Sequence, residues 1–131
     1  MLKEFQSTEN QEEINDLDII SLDKNGIRVA ACDDSGATTI TDFSDNLEPS
    51  FVKSLDTKHT NIAYKCKFTS PDQLYTTGFD YKLCQWNISN PKKSASTNLQ
   101  SALASELGQE ALSYNPPFCY AWDTLNLNGS E

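Results

Sequence analysis

Residues 58–88 read KHTNIAYKCKFTSPDQLYTTGFDYKLCQWNI, and this stretch decides the fold. From Ile62 to Phe68 the side chains alternate. Ile62, Tyr64, Cys66 and Phe68 fall on one side, and Ala63, Lys65 and Lys67 on the other, the period of a half-buried strand. Ser70-Pro71-Asp72-Gln73 supplies a turn, since Pro presets its backbone angle and Asp hydrogen-bonds its own main chain. Leu74–Thr77 reads as a second strand ended by Gly78 and Asp80, and Lys82–Ile88 as a third. Three short strands on tight turns make a meander.

Working outward, the same order precedes this meander. Ile14–Leu22 is a strand, Asp23-Lys24-Asn25-Gly26 a turn and Ile27–Cys32 a strand. Asp33-Asp34-Ser35-Gly36 turns again, Ala37–Phe43 is a third strand, and Phe51–Leu55 a fourth after a loop at Pro49. Leu22 aligns with Phe68 and Asp34 with Asp80, both at an offset of 46 residues. Four strands at that period predict an all-β chain of β-propeller blades, each a four-stranded antiparallel sheet. The first repeat spans 13–57 and the second 58–91, behind an acidic segment at 1–12.

The second repeat runs His59, strand, turn, strand, Asp80, strand, Trp86-Asn87. That order resembles the WD-repeat family, in which Gly-His opens a blade, a turn Asp follows the second strand and Trp-Asp closes the third. The resemblance implies a buried hydrogen-bond relay of His59, a strand hydroxyl (Thr76, with Thr77 the alternative), Asp80 and the Trp86 indole. The chemistry is sound, because a buried carboxylate needs donors and a buried ring N–H needs an acceptor. Lys58 replaces the family's Gly and Asn87 its closing Asp. The first repeat has neither His nor Trp. It carries Ile40-Thr41-Asp42 at the corresponding place, after a turn read as one residue longer.

Glu12-Glu13-Ile14-Asn15, Asp33-Asp34-Ser35-Gly36-Ala37, Val52-Lys53-Ser54-Leu55 and Lys58-His59-Thr60-Asn61-Ile62 also resemble a small single-propeller branch of that family. The branch implies an interaction module, with proposed membership among substrate receptors of cullin-RING ubiquitin ligases. Such receptors place Arg two residues after Trp-Asp; the run here, Trp86-Asn87-Ile88-Ser89, has none.

Ten basic against nineteen acidic residues in 131 give a net charge of −9, which disfavours phosphate backbones. Lys65 with Lys67 and Lys92 with Lys93 do not make a basic stripe, so the expected partners are proteins or peptides, with no nucleic acid and no membrane. Met1–Asn15 lacks the basic start and apolar run of a secretory signal, which predicts an intracellular chain, cytoplasmic or nuclear. The tripeptides Asn87-Ile88-Ser89 and Asn128-Gly129-Ser130 matter only in a secreted protein. Cys32, Cys66, Cys84 and Cys119 form no C-x-x-C pair and read as reduced thiols. With His59 the only histidine, no metal ligand set and no cofactor is expected.

Beyond Pro91 the chain is polar and Ser-rich, so 92–117 reads as a linker. Leu99, Leu103, Leu107 and Ala111 permit a short helix over Thr97–Ser113, which Gly108 opposes. The tail 118–131 contains the start of a further strand at Phe118–Leu127. Its Trp122-Asp123 pair follows no meander and reads as coincidence.

Two blades cannot close a ring. The expectation is a fragment or truncated form of a larger propeller, with missing blades or a partner covering lateral faces that expose residues of the Ile62, Cys66 and Leu74 kind. Function then reads as a non-catalytic scaffold. The alternative is a small hydrolase-like enzyme using His59 and Asp80 with a nearby hydroxyl. No nucleophile elbow, phosphate loop or dinucleotide fingerprint supports it. Candidate partner contacts are Phe79 and Tyr81, with Lys58 beside Thr57, and Asp34 and Ser35, all at one rim.

Overall fold

The computed structural model describes residues 12–23, 25–55, 59–99, 101, 122 and 124. These form two antiparallel four-stranded meanders. The first is β1 (Ile14–Ser21), β2 (Ile27–Asp33), β3 (Thr38–Phe43) and β4 (Pro49–Ser54). The second is β5 (Ala63–Ser70), β6 (Gln73–Gly78), β7 (Lys82–Asn87) and β8 (Ala95–Asn98). Strand order follows chain order in both, the topology of propeller blades. Among the described residues no helix is long and apolar enough to cross a membrane.

One face of each sheet builds a shared core. Ala30, Cys32 and Ile40 of the first blade join Cys66, Phe68, Leu74, Cys84 and Trp86 of the second. Cross-strand pairs place these residues: Ala30 opposes Ile40, Phe68 opposes Leu74, and Leu74 opposes Trp86. Burial of several such side chains, each about 1.5–3 kcal/mol, is what holds blade to blade.

Three sequence expectations need correction. A β-bulge between Ala63 and Lys65 breaks the alternation read over 62–68, so Ala63 is buried with Cys66 and Phe68, while Ile62 and Tyr64 are half-buried. Ala95–Asn98 is not linker but strand β8, pairing with β7 from Lys82↔Asn98 to Gln85↔Ala95. Its four residues are all exposed, and an outermost strand wetted on both sides carries no apolar alternation to read. Of the helix considered over 97–113, Thr97 and Asn98 belong to β8 while Leu99 and Ser101 are helical, with Ser101 N–H donating to Asn98 Oδ1 at 3.0 Å; Gln100 and residues 102–113 lie outside the described residues.

The third correction concerns the bare face. Cys66 and Leu74 are sealed between the blades at 2% and 0% exposure. The most exposed apolar residues of the strands lie instead on the opposite face of the first blade, where Leu17 is 55%, Ile19 59% and Val52 44% exposed. Register puts them together, since Ile19 opposes Val29, Val29 opposes Thr41, and Thr41 opposes Val52. β1 is thus inverted relative to an ordinary edge strand, with Asp16 and Asp18 turned inward and Leu17 and Ile19 outward.

Candidate functional site

The β6–β7 turn and the residues entering β5 bring His59, Thr76, Asp80 and Trp86 together. His59 Nδ1 lies 2.9 and 3.1 Å from the two Asp80 carboxylate oxygens, and its Nε2 lies 2.8 Å from Thr76 Oγ1. Trp86 Nε1–H donates to the same Thr76 hydroxyl at 2.9 Å. Partner chemistry fixes the protons. A carboxylate only accepts, so Nδ1 carries a hydrogen; with a neutral ring Nε2 accepts the Thr76 O–H, whose oxygen accepts the indole. Thr76 Oγ1 thus joins His59 to Trp86, and both ring nitrogens of His59 are engaged. Thr77, the alternative hydroxyl, points to the other face of the sheet and takes no part in it.

Asp80 is also held by the backbone N–H groups of Thr60 at 3.0 Å and Lys82 at 3.2 Å. Burial pushes its pKa up, but the hydrogen bond from His59, these two N–H groups and the closeness of His59 outweigh it and hold the carboxyl below its ordinary value. Gly78 makes room for the ring, since a Cβ there would lie 2.7 Å from His59 Nδ1 and 3.0 Å from Asp80 Oδ1. That requirement was not anticipated from the sequence, although Gly-Phe-Asp before a strand is a visible signal.

His59 and Thr76 are 1% and 0% exposed. The Asp–His–hydroxyl order copies a hydrolytic triad, but the hydroxyl is tied to an indole and shut away from solvent. What the arrangement does chemically is lock the turn, the blade entrance and the third strand to one another.

The first blade solves the same corner differently. Its β2–β3 turn is no longer than the β6–β7 turn, because Cys32↔Thr38 matches Thr77↔Leu83 at an offset of 45 residues. Gly36 (φ 88°) and Tyr81 (φ 64°) occupy the equivalent left-handed position. Asp34 N–H donates to the Glu13 carbonyl at 2.9 Å, as Phe79 N–H does to Ile62 at 2.8 Å. Asp34 therefore corresponds to Phe79, and Ser35 to Asp80, correcting the alignment of Asp34 with Asp80. The buried carboxylate here is Asp33, which accepts from Ser35 N–H at 2.9 Å, Ser35 O–H at 2.6 Å and Ala37 N–H at 3.1 Å. Ala31 and Thr41 stand where the second blade has Thr76 and Trp86, so no relay forms.

Of the candidate contacts, Phe79, Tyr81 and Asp34 are half-buried and Ser35 is exposed, all on these two equivalent turns. The Phe79 ring packs at 5.1 Å on Tyr64, and Asp34 accepts from Asn15 Nδ2 at 2.8 Å. Lys58 and Thr57 lie outside the described residues. Among the described residues no three His, Cys, Asp or Glu side chains converge as a metal site.

The polar joints between blades were not foreseen. Asp16 and Asp18 accept the backbone N–H groups of Cys66 and Phe68 at 3.0 and 2.7 Å, and Asn15 Nδ2 donates to the Ala63 carbonyl at 2.9 Å. Arg28 grips Asp42 with two hydrogen bonds, at 2.7 and 2.9 Å, and reaches the Pro71 carbonyl at 2.5 Å. Lys53 Nζ meets the Ile88 carbonyl at 3.1 Å.

Among curated proteins, the chain is 36% identical over 141 aligned positions to the WD repeat-containing protein 53 homolog of Dictyostelium discoideum. The match takes in 96% of this chain, which spans 37% of that relative's length. No family model and no solved structure matches.

Proposed function

Because the chain carries two blades of the WD-repeat type, we propose that it serves as a non-catalytic scaffold for proteins or peptides. The observation that carries this reading is the burial of the relay: every group that would do acid–base or nucleophilic work is consumed inside the blade, away from any substrate. Phe79 and Tyr81, with Asp34 and Ser35, form the rim where partner side chains are met, since half-exposed aromatics are strong anchors at interfaces. We place the chain inside the cell, in cytoplasm or nucleus, where free buried thiols such as Cys32 and Cys66 are at home.

The apolar face of Leu17, Ile19 and Val52 supports a ring completed by further blades or a partner. Recruitment to a cullin-RING ligase gains nothing from Ser89, which stands where such receptors carry Arg. Its N–H and O–H are both bound by Asp72, each at 2.7 Å.

The test combines an esterase assay on p-nitrophenyl acetate with thermal melts of the wild-type chain and Asp80→Ala. A scaffold gives no wild-type turnover above buffer, and Asp80→Ala costs about 1–3 kcal/mol through unpaired buried donors. Turnover that Asp80→Ala abolishes at an unchanged melting temperature would establish the enzyme instead. Light scattering on the purified chain tests the open ring; a soluble monomer with one sharp transition would argue for a self-sufficient β sandwich.

A further inference from the structure

The face of the second blade that points away from the first is built from Lys65, Lys67, Tyr75, Thr77, Leu83 and Gln85, by the pairings Lys65↔Thr77, Lys67↔Tyr75, Thr77↔Leu83 and Tyr75↔Gln85. On the first blade the equivalent face is the one that receives the second. There, Cys32 holds the place of Thr77, and Asp16 that of Lys65. Cys66 of the incoming strand settles on this pair: its N–H reaches the Asp16 carboxylate at 3.0 Å, and its thiol and that of Cys32 share the Asp16 carbonyl at 3.7 and 3.9 Å.

The second blade's corresponding pair is also occupied. Trp122 Nε1–H donates to Thr77 Oγ1 at 2.7 Å, and Lys65 Nζ stands 5.3 Å from the centre of the Trp122 ring. Thr77 is 1% exposed, so its hydroxyl is a buried polar group whose acceptor capacity the indole uses. A lysine over an indole adds a cation–π attraction. The residue that reads from sequence as a coincidental Trp-Asp match is therefore seated on the blade.

We propose that Thr77 and Lys65 form an indole-binding seat on the outer face of the second blade, filled by Trp122 of the same chain, which takes there the place that Cys66 takes on the first blade. The joint changes its chemistry from one blade to the next. Where Asp16 and Asp18 accept N–H groups from the strand they receive, Lys65 and Lys67 offer donors and positive charge. The seat thus suits an electron-rich ring flanked by carboxylate, and Asp123 follows Trp122 in sequence. Blade order would be encoded by this alternation of joint chemistry, since the occupant of one seat leaves polar groups unpaired on the other.

The inference rests on the two-blade reading, and the two fail differently in one experiment. The full chain is labelled with 5-fluorotryptophan, which gives two fluorine resonances, from Trp86 and Trp122, assigned with Trp122→Phe. Both are expected away from the free amino acid position. Thr77→Val should return the Trp122 resonance toward that position and leave Trp86 in place, while Thr77→Ser, which keeps the hydroxyl, restores it. Trp86 dispersed with Trp122 at the free position in the wild type would overturn the seat and spare the blade. A Trp122 resonance indifferent to Thr77→Val would also overturn it. Both resonances at the free position would remove the two-blade reading itself.

Discussion

The carboxylate of Asp18 on the first strand of one blade accepts the backbone N–H of Phe68 on the first strand of the next, at 2.7 Å. β5 is an edge strand, and its outward N–H groups would otherwise be buried at the junction without an acceptor. Asp16 repeats the device at Cys66. Acidic side chains turned inward from β1 thus replace the missing ladder partner, and they also block edge pairing with a foreign strand.

Removing that acceptor tests its worth. Asp18→Ala should lower stability by about 1–3 kcal/mol, the cost of an unsatisfied buried donor. Asp18→Asn, which keeps a carbonyl oxygen at the same reach, should recover much of it. Urea denaturation of the three proteins measures this; an alanine variant with the wild-type midpoint would show that water serves Phe68 equally well.

These joints also show what the sequence made legible. Strand β5 and the hairpin after it are written in alternation and in Ser-Pro-Asp-Gln, and the relay in residue types that need one another. Asp16 and Asp18 were not legible, because acid at inward positions of a strand looks like a solvent face until its neighbour is known. β8 lacks an apolar stripe altogether. Matching by residue type pairs Asp34 with Asp80, whereas strand register pairs Ser35 with Asp80 and leaves the buried carboxylate of the first turn on Asp33. Trp122 meets Thr77 across 45 residues, with no local pattern to announce the contact.

Acid should weaken the relay in a defined window. The Asp80 carboxyl has a lowered pKa in the folded chain, against an ordinary value of 3.8. Above that value it is ionised in both states and its contribution is complete. As pH falls below it, the unfolded chain takes up the proton first, so stability is lost until the folded value is passed. Melting temperatures between neutral pH and strong acid should show Asp80→Asn less stable than wild type near neutrality and the gap closing below pH 3.8. A constant gap would remove Asp80 ionisation from the account.

Gly36 joins the blades through backbone alone. Its carbonyl accepts the His59 N–H at 3.0 Å, its φ is 88°, and a Cβ would collide with the His59 carbonyl oxygen and come within 2.7 Å of the Asn61 oxygen. Gly36→Ala combines left-handed strain with a backbone collision, so a loss above about 1 kcal/mol is expected, larger than strain alone gives. Because the collision is with the residue that starts the relay, the Trp86 environment should change too. Near-ultraviolet circular dichroism of Gly36→Ala reads this directly; an unaltered spectrum with an unaltered melt would mean the two turns move independently.

The thiols give a measure of how tightly the blades close. Burial, with the nearby Asp80 charge, pushes the Cys84 thiol up to about 11. Cys66 is raised by its hydrogen bond with the Cys32 thiol and by burial. At pH 8 a thiol at 11 is roughly one part in a thousand thiolate, and thiolate is the reactive form. Cys66 and Cys84 should therefore resist 5,5′-dithiobis(2-nitrobenzoate) in native buffer, as should Cys32 because its side chain is fully buried, and all three should react in urea, as mapped peptide by peptide. All three line the shared core, with Cys32 and Cys66 meeting across the junction and Cys84 on the same face of the second sheet as Cys66. If blades part before they unfold, rising urea will release all three thiols before the far-ultraviolet circular dichroism of the sheets is lost. Release that coincides with loss of that signal would mean that junction and sheets melt as one unit.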